Sequence, residues 1–182
     1  MLQRVRLTRH PQSGESPALE IEVEVARRRA AVLMLIYVVN GDLSQVRVPE
    51  TRTSARADEL WKHTCFEAFV CSSRSAVYWE FNLSPSLEWA AYRFDRYREG
   101  MAVEQAIGDP GIQLLLNHSG FRLLTTLDLS GVTTLPASED WRIGLSAIIE
   151  DNAGGKSWWA LAHSPGRPDF HNADTFALQL PP

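Results

Sequence analysis

Trp79-Glu80-Phe81-Asn82-Leu83-Ser84-Pro85-Ser86-Leu87-Glu88-Trp89-Ala90-Ala91-Tyr92-Arg93-Phe94 admits two readings, and the choice between them decides the fold. Read as a helix, Ser84-Pro85 supplies an N-cap and a first helical residue and Gly100 a stop. Leu87, Ala90, Ala91, Phe94 and Tyr97 then form a single apolar stripe. Read as a hairpin, a strand ending at Leu83 turns over residues 84–88 and returns from Trp89 to Phe94. Local rules favour the helix, but propensity is a weak prior that tertiary pairing often overrides. The first half of the stretch is less ambiguous. Period two puts Tyr78, Glu80 and Asn82 on one face of a strand and Val77, Trp79, Phe81 and Leu83 on the other, and the second face reads as core.

On either side, short runs rich in β-branched and aromatic residues recur between turn signals, at 64–72, 76–83, 121–129, 141–150, 157–163 and 175–180. Runs of this kind without alternating helices imply an all-β protein, an antiparallel sandwich or barrel. Asp151-Asn152-Ala153-Gly154-Gly155 is a hairpin loop by composition, and the polar, Arg-rich stretch 49–59 reads as a long surface loop. Near the start, Arg27-Arg28-Arg29 followed by the apolar residues 30–39 imitates the charged and apolar regions of a signal peptide. Leu19, Ile21, Val23 and Val25 nevertheless alternate with Glu20, Glu22 and Glu24 as a half-buried strand does. The Arg cluster then becomes the tip of a hairpin whose second arm is 31–39. An apolar run this short is also well below the roughly 20 residues that span a bilayer. The expectation is one cytoplasmic domain covering 1–182, with no membrane contact.

Composition agrees with an ordinary globular chain. The 182 residues are 45% hydrophobic and 22% charged, which excludes disordered, collagen-like and coiled-coil classes. The 18 Lys plus Arg against 22 Asp plus Glu leave a net charge of -4. A field of that sign does not gather polyanions, so nucleic acid is not an expected partner. Cys65 and Cys71 fall in one predicted strand. Six residues of strand span about 20 Å, whereas a disulfide needs Cα atoms within about 7 Å, so the two thiols are expected to be free, as in a reducing compartment.

Three blocks combine aromatic and polar residues. They are Trp61-Lys62-His63-Thr64-Cys65-Phe66-Glu67; then 79–86 with Trp89-Ala90-Ala91-Tyr92-Arg93-Phe94 and Tyr97-Arg98-Glu99-Gly100-Met101; and Trp158-Trp159-Ala160-Leu161-Ala162-His163 with Pro168-Asp169-Phe170-His171. In order and spacing they resemble the bacterial DOMON-like proteins, a group similar to family 9 carbohydrate-binding modules, over residues 20–180. The resemblance implies a DOMON-like β-sandwich of immunoglobulin-like or jelly-roll type, and it implies the hairpin for the opening stretch. That group usually has Gly where this chain has Leu87, so the turn after Pro85 is where this chain departs from the pattern. The resemblance implies a spread of ligands, haem or sugars, with sugar rings held between Trp side chains.

The residues themselves support a small-ligand site. Sugar rings offer an apolar C–H face that stacks on indole and hydroxyls that need short polar side chains beside it. Trp89, Tyr92 and Trp159 are the candidates for stacking, and Glu67, Glu80 and Asn82 for hydroxyl recognition. His163, Asp169 and His171 sit on a loop stiffened by Pro165 and Pro168 and form a candidate polar rim. Their spacing matches no standard zinc motif, so neither a metal nor another cofactor is expected. Met101 with a His offers the parts of a haem site without fixing them opposite each other. Three alternatives stay open beside a non-catalytic sugar-binding module. A hydrolase could use Glu67 with Glu80 or the His163, Asp169 and His171 cluster, a protein-interaction module could work through a sheet edge or the 49–59 loop, and haem could bind. No protein partner can be named from the sequence.

Overall fold

Twelve strands run through the described residues, 2–14 and 17–182 of the computed structural model. They are β1 (Gln3–Arg9), β2 (Leu19–Arg28), β3 (Val32–Gly41), β4 (Cys65–Ser72), β5 (Tyr78–Leu83), β6 (Trp89–Phe94), β7 (Ala102–Val103), β8 (Gln113–Asn117), β9 (Gly120–Asp128), β10 (Trp141–Glu150), β11 (Lys156–Ala160) and β12 (Leu178–Leu180). Only short 3-10 segments, and no α-helix, accompany them among those residues. One layer runs β8-β9-β3-β2-β1 and the other β7-β6-β5-β4-β10, with β11 and β12 sharing the far side of β10. β1 joins the two layers. Gln3 to Leu7 pair with β2, while Thr8 and Arg9 pair with Ala160 and Trp159 of β11. The expected antiparallel β-sandwich is therefore the fold, closed along one side by a strand that belongs to both layers.

The opening stretch is a hairpin. β5 and β6 pair from Tyr78 with Phe94 to Leu83 with Trp89. The turn closes when the Ser84 N–H donates to the Glu88 carbonyl and the Leu87 N–H to the Ser84 carbonyl, each at 3.0 Å. Leu87 stands at φ +75°, the left-handed conformation that glycine adopts without cost. Its half-buried side chain packs against the core. The helical stripe loses because β6 buries both of its faces, one in each of two apolar clusters, which a one-sided helix could not do.

Between the layers, Tyr37 of β3 meets Phe66 of β4 at 4.9 Å between ring centroids, and Phe66 meets Phe121 of β9 at 5.7 Å. The Tyr37 hydroxyl crosses the layers to donate to the Glu67 carbonyl at 2.6 Å. Ile21, Val23 and Val25 are fully buried here. Glu24 on the opposite face of β2 pairs with Arg4 at 2.6 Å, and Glu20 pairs with Arg6. Burying each such aliphatic side chain contributes roughly 1.5–3 kcal/mol, so the alternation fixes the strand's parity.

The Arg cluster does lie at a hairpin tip, with Arg29 and Ala30 both at positive φ. Arg27, however, turns inward. Its guanidinium donates to the carbonyls of Ala30 at 2.7 Å, Ala137 at 2.6 Å, Glu139 at 2.7 Å and Leu180 at 3.1 Å, and lies 3.6 Å above the Trp141 ring. Cys65 and Cys71 are free and buried, as their place on one strand requires. The strands β1, β7 and β8 carry no strong β-rich run and are additions to the expected set.

β4 is buried at every residue. One face of a sandwich strand ordinarily meets solvent and alternates, so the outer face of this layer must be covered. That cover builds the site.

Candidate functional site

The register says which side chains stand on the outer face. Glu67 lies opposite Asn82 on β5 and Ser146 on β10, and Glu80 lies opposite Phe69 and Tyr92. Ile148 lies opposite Trp158. Residues paired across antiparallel strands share a face, so Glu67, Glu80, Asn82, Tyr78, Tyr92, Phe94, Ile148 and Trp158 all point away from the main core. Glu67 and Glu80 are diagonal neighbours, a relation that puts Cα atoms roughly 7–8 Å apart and leaves the side chains within reach of each other.

Two loops and a 3-10 turn wall this face into a cavity of about 370 Å³. Its floor includes Glu67, Glu80 and Ile148; Trp158, Phe170 and His171 stand on one side, and Trp61, Phe94, Arg98 and Met101 also line it. The loop after β11 folds back over the sheet, where Phe176 stacks on Phe69 at 5.6 Å. That approach needs Gly144, since a Cβ there would come within 2.7 Å of the Phe176 ring. Asp169 ties this loop to the loop after β6. It accepts from the Tyr97 hydroxyl at 2.7 Å, from Arg98 Nη2 at 2.8 Å and from the His171 N–H at 3.2 Å. Burial pushes the Asp169 carboxyl up, but those bonds outweigh it and hold its pKa below the usual value.

The Tyr78 hydroxyl accepts the Arg98 N–H at 3.1 Å, which leaves its proton for His171 Nδ1 at 2.8 Å. That bond assigns the remaining imidazole proton to Nε2, 3.6 Å from Glu80 Oε2. Burial, and then the charge of Arg98, lower the pKa of His171 to about 4, so the ring is neutral near pH 7. Ser146 Oγ donates to Glu67 Oε2 at 3.0 Å and Asn82 Nδ2 donates to Glu80 Oε1 at 2.8 Å. Even so, both carboxyls titrate above the ordinary Glu value of 4.5. Burial raises each of them, and the neighbouring Glu80 charge raises Glu67 further.

A carboxyl whose folded pKa is raised contributes most below its unfolded value, and its contribution falls away as pH climbs through the raised value. His171, lowered instead, contributes less as pH falls below 6.5. The carboxyl pair therefore dominates above neutrality. Glu67→Gln keeps a group that can accept from Ser146 and removes one charge. It is expected to raise the melting temperature at pH 8 by the equivalent of on the order of 1–3 kcal/mol, with a much smaller gain at pH 5. Thermal melts across that range check this, and an equal effect at both values would contradict it.

Of the residues expected from sequence, Glu67, Glu80 and His171 meet in the cavity. Asn82 is fully buried beneath it as a hydrogen-bond donor to Glu80, and Asp169 anchors the rim through Arg98. The others stand elsewhere. Trp89 shares parity with Ala91 rather than Tyr92, so it points into the main core, where Arg56 covers its ring at 4.1 Å. Trp159 lies opposite Ala147 on the inward face and donates to Ser157 Oγ at 2.9 Å. Tyr92 is buried behind the wall, donates to Asp58 Oδ1 at 2.6 Å and meets Trp61 edge-on at 6.2 Å. His163 donates to the Thr8 carbonyl at 2.7 Å, away from the lining. The aromatic surfaces facing the cavity are instead Trp61, Trp158, Phe94 and Phe170. Lys156, half-exposed on the same face of β11 as Trp158, is the sequence signal that marks this face as outward.

A larger cleft of about 660 Å³ opens at the 84–88 turn. No Trp, Tyr or Phe lines it, and all its Arg and Lys side chains pair with its own carboxylates, Arg47 with Glu150 at 3.0 Å, Arg52 with Glu88 at 3.5 Å and Lys62 with Glu59 at 2.7 Å. Among the described residues no group of three or more His, Cys, Asp or Glu side chains is placed to hold a metal ion.

Neither a protein-family model nor a curated protein sequence matches the chain. Solved structures do. A Bacteroides uniformis protein provisionally described as carbohydrate-binding superposes with a TM-score of 0.68 at 13% identity, covering 96% of this chain and 83% of its own. A family 9 carbohydrate-binding module from Caldicellulosiruptor kristjanssonii, in complex with glucose, superposes at 0.53 with 10% identity, covering 97% and 83%. At such identities the likeness establishes the fold alone, a β-sandwich similar to those proteins.

Proposed function

We propose that the chain is a non-catalytic binding module for a carbohydrate or sugar derivative, held in the cavity on the outer face of β4, β5 and β10. The observation that carries this reading is the convergence of two half-exposed indoles, Trp61 and Trp158, with the carboxyls of Glu67 and Glu80 on a single cavity of about 370 Å³. That volume lies at the small end of ligand pockets. Indole faces match the C–H face of a pyranose, and carboxyl oxygens accept from its hydroxyls. The glucose complex of a similarly folded module supports the same ligand class. A sequence resemblance to DOMON-like proteins fits the reading, and Asn82 and Asp169 then act as positioning residues for Glu80 and Arg98.

Titration of the protein with glucose and short oligosaccharides, followed by intrinsic Trp fluorescence and by calorimetry, tests it. A saturable change with at least one sugar is expected. Absence of any response across neutral, amino and acidic sugars would overturn it.

A further inference from the structure

Resting on that reading, we infer that the preferred ligand is an amino sugar in its ammonium form rather than a neutral hexose. The cavity holds two carboxyls, Glu67 and Glu80, against one lining cation, Arg98. Arg98 is already committed, since its Nη2 bonds Asp169 at 2.8 Å. His171 adds no charge to the balance, because its Nδ1 accepts from Tyr78. Each carboxyl has one hydrogen-bond donor from the protein, Ser146 for Glu67 and Asn82 for Glu80, and so keeps lone pairs for a ligand.

The two carboxyls are diagonal neighbours on adjacent strands. A hydroxyl brings one proton and no charge, so it cannot offset the cost of ionising two buried neighbouring carboxyls, and the pair keeps a proton. An ammonium group brings three donors and a positive charge, and can bridge both. The walls favour the same group, since the π faces of Trp61, Trp158, Phe94 and Phe170 attract cations. A free cation would satisfy the electrostatics alone, whereas the indole walls and the room above the carboxyls suit a ring bearing the cation.

Calorimetric titration of the full chain with glucosamine, glucose and N-acetylglucosamine at pH 7, where much of the amine is still protonated and the raised carboxyls ionise readily on meeting a cation, decides the matter. Glucosamine is expected to bind at least about tenfold more tightly than either neutral sugar. In Glu80→Gln the ratio of glucosamine to glucose affinity is expected to fall toward unity, whatever the change in absolute affinity. Equal affinity of glucosamine and glucose for the unaltered protein overturns the inference and leaves sugar binding standing. Silence toward all three sugars overturns both. Ethanolammonium binding as tightly as glucosamine also overturns the inference, since the ring would then contribute nothing.

Discussion

Replacing Trp158 by Ala is expected to weaken sugar binding by at least about thirtyfold, the equivalent of ~2 kcal/mol, while costing the fold little. Trp158 stands on the outer face of β11, half-exposed at the cavity, whereas Trp159 beside it is buried in the inter-sheet core. Removing Trp158 takes away a stacking surface that a ligand would desolvate. Removing Trp159 instead leaves a large void, which costs about 3–5 kcal/mol for a core Trp. The paired substitutions should therefore dissociate. Trp158→Ala loses affinity and keeps its denaturation midpoint, while Trp159→Ala loses stability. Calorimetric titration and urea denaturation of both variants check this, and undiminished affinity in Trp158→Ala would show that the indole is not part of a site.

An effect on stability as large as that of a core Trp is expected at Arg27. Four backbone carbonyls converge on its guanidinium, from the β2–β3 turn, the segment before β10 and the end of β12, with the Trp141 ring beneath. No water-filled shell replaces those donors where the side chain is 8% exposed. Arg27→Met should cost about 3–5 kcal/mol, because the carbonyls lose charged donors and stay partly buried. Arg27→Lys should recover only a fraction, since an ammonium has fewer donors and no plane to lie on the indole. Arg28→Ala, at the exposed neighbour, should stay within about 0.5 kcal/mol. Denaturant midpoints of the three variants check this order, and a cost at Arg27 equal to that at Arg28 would contradict it.

Much of the fold was legible because its signals are local. Alternation in residues 19–25 and 77–83 assigns both strand type and buried face, and the structure keeps those faces. The helix-or-hairpin choice at 84–100 was not local. It is decided by β5 pairing on one side of β6 and by the 3-10 turn, Arg56 and the back-folded loops covering both of its faces. The site was half legible for a related reason. Glu67 and Glu80 stand out as carboxyls on predicted strands among aromatic residues, and His171 as an imidazole close to Asp169 on a loop stiffened by prolines. The choice of Trp158 over Trp159 rests on parity, and a one-residue ambiguity in β11 exchanges the two faces. Trp61, Arg98 and Met101 come from connections whose path over the sheet has no period to read. Arg27 was legible as a turn residue and hidden as a carbonyl clamp, since three of its four acceptors lie more than a hundred residues away.

The most direct measurement follows the six Trp indole N–H signals by NMR during a sugar titration. Trp61 and Trp158 are expected to shift together along one saturable curve, while Trp79, Trp89, Trp141 and Trp159, all buried away from the cavity, stay in place. Sugar-dependent shifts confined to those four, or no shift at any sugar concentration, would contradict it.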